Sequence, residues 1–215
     1  MTARGGTFPL ALSNRPAYDD HHMRRTAPGR KEETHERIVA AAARAIRRSG
    51  YNGTGVADIM KDAGLTHGGF YAHFDSREAM LAEAADRAGA DAIAASARIA
   101  GSASPRRALS ELVRAYLSKA HAEDLENGCP VAALGSEMPR QAPEVRRAAT
   151  RRIKEMVDLV ARQSPDWGQP EAHERALVTT ATMVGALILS RAVDDTKLSD
   201  AIREAALKRL VRDRV

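Results

Sequence analysis

The residues best suited to chemistry in this chain crowd into one stretch, GLTHGGFYAHF, from Gly64 to Phe74. It offers a hydroxyl (Thr66), a phenol (Tyr71) and two imidazoles (His67 and His73) around the adjacent glycines Gly68 and Gly69. Three Phe, four Tyr and one Trp are all the aromatic residues of the chain, and Phe70, Tyr71 and Phe74 of them stand here. No nucleophile–base pair, phosphate loop or carboxylate pair stands at a readable spacing in the 215 residues. The seven histidines are too scattered for a metal site, and the single cysteine, Cys129, excludes a disulfide framework and a zinc site of several thiolates. The chemistry within reach is recognition, and the reading is of a non-enzyme with no cofactor and no metal.

Recognition needs a surface. On a helical wheel Phe70 and Phe74 share one face, Gly68 and Ala72 lie opposite, and Tyr71 flanks them near His67. Two glycines in a short helix cost about 1 kcal/mol each relative to alanine. A backbone kept this bare calls for the close approach of another body, either another molecule or another helix of the same protein.

The elements that carry this stretch read as helices throughout. Hydrophobic residues make up 44% of the chain, with alanine prominent and β-branched residues sparse, which favours an all-α fold. Residues 1–30 show no periodicity and read as a disordered arm, with Met23 an alternative start ahead of Arg24 and Arg25. From Lys31 the spacing of Ile38, Ala42, Ala45 and Ile46 predicts a helix, with Arg44, Arg47 and Arg48 off its apolar face and Gly50 at its end. A short helix follows over 56–63 and closes at Gly64. Thr66 caps a third helix, and the D-x-x-E spacing of Asp75 and Glu78 opens a fourth. Beyond Gly101 five further helices are expected, near 105–122, 129–139, 143–163, 171–193 and 198–212. Pro105, Pro143 and Pro170 stand at or just before helix starts. That makes about nine helices.

Helix, turn at Gly64 and second short helix form the helix-turn-helix plan, whose second helix enters the DNA major groove by its N-terminal end. Thr66, His67, Gly68 and Gly69 make up that end, where free N–H groups and the helix dipole also favour a phosphate. The run THERIVAAAARAIRRSGYNGTGVADIMKDAGLTHGGFYAHFDSREAML, Thr34 to Leu81, resembles the TetR/AcrR family of one-component transcriptional regulators. It includes that family's Tyr-x-His-Phe signature as Tyr71, His73 and Phe74. The resemblance implies a three-helix DNA-binding head (31–80), a helical ligand-binding and dimerisation domain (81–215), and repression of a double-stranded operator relieved by a small-molecule effector. It further implies that Tyr71 reaches a phosphate, that His73 and Arg77 contact the DNA backbone, that His67 reads a base edge, and that Thr54 touches phosphate ahead of the second helix. Two positions depart from the pattern. Met60 stands where the crossing usually has a small residue, and Gly55 replaces the usual hydroxyl cap. Eight Lys and Arg face seven Asp and Glu from Arg30 to Glu78, so affinity must come from placement.

The rival reading, a helical enzyme or small-molecule carrier, has no site to support it. A net charge of +5 suits a polyanionic partner but is mild, and the arginines of 143–163 read as a solvated face. No apolar run approaches the ~18 residues of a membrane span. With one cysteine, a reducing, cytoplasmic setting is expected. Tyr116, His121, Cys129, Met138, Met156, Trp167 and Met183 are candidates for lining an effector pocket, with ordinary core as the alternative for each. Cys129, in NGCPV, is either a thiol sensor of oxidants and electrophiles or a small buried filler. The helix at 171–193 is apolar nearly all round. One stripe carries Leu177, Ala181, Val184, Leu187, Ile188 and Arg191, and another carries Met183, Ala186 and Ser190. With Ala186 on the partner side, this helix and 198–212 would form a four-helix homodimer interface.

Overall fold

The chain's apolar periods become helices with few exceptions, and the exceptions carry the information. The computed structural model describes residues 28–212. Within them lie nine α-helices, two short 3-10 turns and no strand. The expected disordered arm and the alternative start at Met23 fall outside the described residues, except that α1 (Pro28–Ser49) begins three residues ahead of Lys31. Ile38, Val39, Ala42, Ala45 and Ile46 are its buried face. It ends at Gly50, whose φ of +76° is a left-handed conformation that favours glycine. Arg47 departs from expectation. It is buried, and its Nη1 donates to the carbonyl of Ala88 at 3.3 Å.

Helix α2 (Val56–Asp62) buries Ile59 and Met60 and gives way to Gly64, φ +70°. The expected third helix is instead a six-residue 3-10 turn, His67–Ala72. Thr66 sits at its N-cap position, yet its hydroxyl makes no capping bond. Two glycines weaken α-helix formation, and the tighter i to i+3 bonding closes the short segment. In such a turn residues three apart align, so Gly68 shares its side with Tyr71 and not only with Ala72. Helix α3 (Arg77–Ser102) starts one residue later than the D-x-x-E spacing implied. Ser76 is its cap, its hydroxyl accepting from the N–H of Ala79 at 3.0 Å.

The later helices are more fragmented than their pattern suggested. The single helix expected at 105–122 is split into α4 (Ala108–Tyr116) and α5 (Lys119–Glu123), because Ser118 caps a new start. The helix expected at 129–139 shrinks to α6 (Pro130–Leu134) plus a 3-10 turn, Met138–Arg140, interrupted by Gly135 and Pro139. Helices α7 (Pro143–Ala161), α8 (Pro170–Ala192) and α9 (Thr196–Arg212) lie close to their expected spans, with Pro143 and Pro170 in first turns. No described helix is long and apolar enough to cross a membrane.

Two apolar cores result. The first joins α1, α2, Phe70, Phe74 and the start of α3 to Leu134, Val145 and Ala148 from α6 and α7. The second joins the end of α3 to α4, α7 and α8. Helix α8 turns largely the opposite way from expectation, although Leu187, from the stripe expected to face the core, is buried and Val184 packs against that core. Met183, Ala186, Leu187 and Ser190 are buried in the protomer, whereas Leu177, Val178, Ile188 and Leu189 face outward, Val178 at 60% exposure. A helix apolar on all sides has no period to reveal its inward face. Ala186 is therefore core and not partner surface.

Helix α3 lies closest to α7 at Gly89, where a Cβ would come within 2.5 Å of Arg152 Cβ and Cγ. Gly89→Ala would gain about 1 kcal/mol in helix propensity, but overpacking of this kind costs about 1–3 kcal/mol. A lower urea midpoint is the expected result. A raised midpoint would show that α3 and α7 separate freely at this crossing.

Candidate nucleic-acid interface

The 3-10 turn is held from beneath by its own aromatics. Phe70 and Phe74 are buried and stack at 5.5 Å, and Phe74 also stacks on His35 at 4.5 Å. Tyr71, by contrast, is 74% exposed, its ring resting edge-on against Phe70 at 5.1 Å. Thr66, His67, Gly68 and Ala72 are exposed beside it, and Gly69 is half-buried. Five of the nine expected DNA contacts thus form one contiguous surface: Thr66, His67, Gly68, Gly69 and Tyr71. Gly55 is exposed too, at the N-cap position of α2.

The glycine pair has an asymmetric answer. A Cβ on Gly69 would sit 3.6 Å from Met60 Cε, an ordinary contact, and a Cβ on Gly68 would meet nothing within 4 Å. Met60 is fully buried under the turn and occupies the room above which Gly69 passes. Neither glycine is demanded by the packing of the protomer. The helix-on-helix reading of the bare face therefore loses its ground at Gly68.

Three expected DNA-contacting side chains face inward instead. Thr54 is buried and its hydroxyl donates to the Gly50 carbonyl at 2.8 Å. Arg77 donates to the carbonyls of Tyr51 and Thr54, the latter at 3.2 Å. Both side chains brace the α1–α2 turn, since a helix end leaves carbonyls in need of donors. His73 is half-buried near His35, with ring centroids 6.1 Å apart. Burial, then the charges of His35 and Lys31, push its imidazole below the ordinary value, which disfavours the cationic form a phosphate would prefer. Arg37 was missed by sequence reasoning. Its Nη2 donates to the Ala63 carbonyl at 3.0 Å and ties α1 to the end of α2.

The body holds the second candidate site. Tyr116, His121, Cys129 and Met156 line a cavity of about 270 Å³ among α3, α4 and the α5–α6 loop. Tyr116, Cys129 and Met156 also join Thr180 and Met183 around a narrow recess that extends toward α8. Five of the seven expected pocket residues come together in this way. Met138 lies apart, in a cavity near the head. Trp167 does not belong. It is exposed in the α7–α8 connection, with the Arg162 guanidinium 5.9 Å from its ring. Cys129 is buried at the N-cap position of a five-residue helix and, as the one cysteine of the chain, has no second thiol to pair with when oxidised, which does not favour a thiol sensor.

His121 is held as one tautomer. Its Nδ1 lies 2.6 Å from the Tyr116 carbonyl, which can only accept, and its Nε2 accepts from the Cys129 N–H at 3.1 Å. Arg191, another residue without a sequence signal beyond its place in the last turn of α8, donates to the carbonyls of His121, Ala122 and Asp124. It anchors α8 to the end of α5. Two buried hydroxyls in this region, Tyr116 Oη and Thr180 Oγ1, have no hydrogen-bond partner of normal geometry. The Cys129 thiol beside Tyr116 is only a weak one.

Comparison with known proteins gives the arrangement a family. The profile described as bacterial regulatory proteins, tetR family, matches residues 38–84. A second profile, the C-terminal domain of LmrA/YxaF-like transcriptional regulators, matches residues 105–205. An HTH-type transcriptional regulator of Mycobacterium tuberculosis is 32% identical over 176 residues, covering 78% of this chain and 89% of that protein. The chain belongs to the TetR family.

This TetR-family protein is accordingly a DNA-binding transcriptional regulator, and the Thr66–Tyr71 surface lies within its matched head. The HTH-type transcriptional regulator LmrA of Bacillus subtilis is 28% identical over 165 residues, 74% of this chain and 86% of that one. Among solved structures, a TetR transcriptional regulator from Chloroflexus aurantiacus is 30% identical, with a TM-score of 0.68 over 86% of this chain and 95% of its own. The reduced form of Escherichia coli NemR superposes with a TM-score of 0.72 at 20% identity, over 84% and 96% of the two chains, and so shares the fold.

Two outcomes follow for this TetR-family regulator. Gly68→Ala should leave stability equal or higher by up to ~1 kcal/mol, yet weaken operator binding about tenfold or more, which is ~1.4 kcal/mol. Gel-shift titration beside urea denaturation checks it, and unchanged DNA affinity would remove close approach as the reason for the glycine. The second concerns pH. Burial is the first cause lowering the His121 pKa, so the unfolded chain takes up the proton first as pH falls. The stability held by neutral His121 is present above about pH 6.5 and is lost as pH falls below it. Wild type should lose more stability than His121→Gln between pH 7.5 and 5, and parallel curves would refute this.

Proposed function

We propose that the protein is a homodimeric repressor that grips a palindromic operator with two copies of the Thr66–Tyr71 surface and releases it when a small molecule fills the chamber around Tyr116. The observation that carries the reading is the pairing of an open Gly68 with an outward Tyr71 on a turn whose other aromatics are buried. A bare backbone lets a base edge come near His67, and the Tyr71 phenol extends beside it to a phosphate. Gly55 and the exposed N–H groups at Thr66 and His67 add donors for the DNA backbone.

The dimer is supported by what α8 leaves uncovered. Leu177, Val178, Ile188 and Leu189 are exposed on α8, and Leu198 on α9 adds to the same kind of surface. Large apolar side chains gathered on two adjacent helices suit a partner of the same kind, and two such pairs make a four-helix interface about a twofold axis. The effector, by the same reasoning, is mostly apolar with hydrogen-bonding groups for the buried hydroxyls of Tyr116 and Thr180. A buried, solitary Cys129 argues against thiol sensing as the trigger.

The test separates the two faces of α8. Val178→Glu should give folded monomers by sedimentation that bind half-sites weakly and lose full-operator affinity by about 10²–10⁴-fold, the gain that linking two sites provides. The operator itself is found by sequencing genomic fragments that the wild type retains. Ala186→Glu, at a core position, should instead fail to fold. A Val178→Glu protein that remains dimeric would show that α8 does not form the interface.

A further inference from the structure

The body meets the head around a cavity of about 190 Å³ that shares Gly89, Pro130, Val131, Arg152 and Ile153 with the recess beside Tyr116. Its walls are apolar, with Leu134 from α6, Met138 from the second 3-10 turn and Ala149 and Ile153 from α7. Two polar side chains reach it, Tyr51 from the α1–α2 turn and Arg152 from α7. The guanidinium of Arg152 is already committed. Its Nε and Nη2 donate to Asp86, and its Nη1 donates to Glu155 at 2.7 Å. Tyr51 is fully buried, and its Oη has no hydrogen-bond partner among the described residues.

Tyr51 is also held still. Its N–H donates to Glu137 Oε2 at 3.0 Å, and its carbonyl accepts from Arg77. Glu137 comes close enough that a Cβ on Gly50 would lie 2.4 Å from its Oε1. Burial, then the Glu137 charge, raises the phenol pKa, so the hydroxyl is a fixed, protonated donor. An unspent donor beside apolar walls, with the Arg152 guanidinium already paired, defines what fits. Apolar cavities near 150 Å³ accept a benzene ring, and this one is somewhat larger.

We propose that this junction cavity is a second ligand subsite, adjoining the recess beside Tyr116, for a small uncharged molecule with an apolar body and one hydrogen-bond acceptor that meets Tyr51 Oη–H. An occupant would touch the α1–α2 turn of the head together with α6 and α7 of the body. The site stands apart from the repressor reading, because occupancy can be measured without DNA.

Acetophenone is the probe, with ethylbenzene as its counterpart lacking the acceptor and benzoate as the charged counterpart. Calorimetric or ligand-observed NMR titration of the full chain should show acetophenone binding about three- to tenfold tighter than ethylbenzene, as one added hydrogen bond allows, with benzoate excluded. Tyr51→Phe should fold with unchanged stability and erase that preference, whereas Tyr116→Phe should keep it. Ala149→Leu, which fills the cavity, should abolish binding of both neutral probes. The proposal is overturned if acetophenone fails to saturate the wild type at millimolar concentration, or if Tyr51→Phe keeps the preference. It is equally overturned if Tyr51→Phe is less stable without probe, since the hydroxyl would then already be satisfied, or if Ala149→Leu still binds.

Discussion

The crossing of α3 with α7 is the constraint on which the rest of the molecule depends. Helix α3 starts in the first core and ends in the second, so it is one rigid rod shared by the DNA-binding head and the body. Its register against α7 is set at Gly89, where the absence of a side chain lets the stem of Arg152 lie against the backbone. The same Arg152 then turns its guanidinium onto Asp86, one turn back along α3. Packing sets how close the helices come, and the two-pronged ion pair sets how they are aligned along their length. Neither would hold alone, because a close approach without the pair can slide and a pair on longer stems can swing.

From that rod the head is positioned by the first core and by hydrogen bonds to the backbone of the α1–α2 turn. Arg77, in the first turn of α3, donates to Tyr51 and Thr54, and Glu137 from the body accepts from the Tyr51 N–H. The α1–α2 turn is therefore gripped by a cation from α3 and an anion from the α6–α7 connection. A shift of either element is passed to the turn through a single side chain, Arg77 on one side and Glu137 on the other. The exposed Thr66–Tyr71 segment inherits its orientation from this bracket through α2, with Arg37 fixing the end of that helix. Such a two-sided grip is the kind of element whose position two distant sites can both bias.

The parts of this arrangement that could be read from the residues are those governed by local backbone preference. Gly50 and Gly64 both adopt positive φ at the ends of helices, and Pro143 and Pro170 both open them. The inward aromatics Phe70 and Phe74 follow from spacing alone. What could not be read depends on partners distant in sequence. Thr54 and Arg77 look like DNA-contacting residues until the carbonyls they satisfy are known. Arg47 looks solvated until Ala88 is seen beside it. For α8 the obstacle is different. A helix with apolar residues all round carries no angular information, so its core side and its outward side are decided by its neighbours, and of the expected core stripe only Leu187 and Val184 lie against the core. The pocket residues show the same divide. Tyr116, His121, Cys129, Met156 and Met183 converge because α4, α5, the start of α6, α7 and α8 bring them together, while Trp167, equally suited by type, sits on a connection that faces solvent.

The turn at His67–Ala72 shows why a recognition surface in this protein tolerates a costly sequence. Glycines at 68 and 69 cost helix stability, and the structure answers with a 3-10 turn of poorer hydrogen-bond geometry. The compensation lies beneath it. Phe70 and Phe74 are driven into the first core, and Met60 fills the space under Gly69 with a flexible, polarisable side chain. A locally weak backbone is thus carried on a well-packed floor, and among the described residues a Cβ at Gly68 would meet nothing within 4 Å on its outer side. Placing the stabilising groups on the inner side alone leaves the outer side with only those groups that a groove can read, the hydroxyl of Thr66, the imidazole of His67 and the phenol of Tyr71.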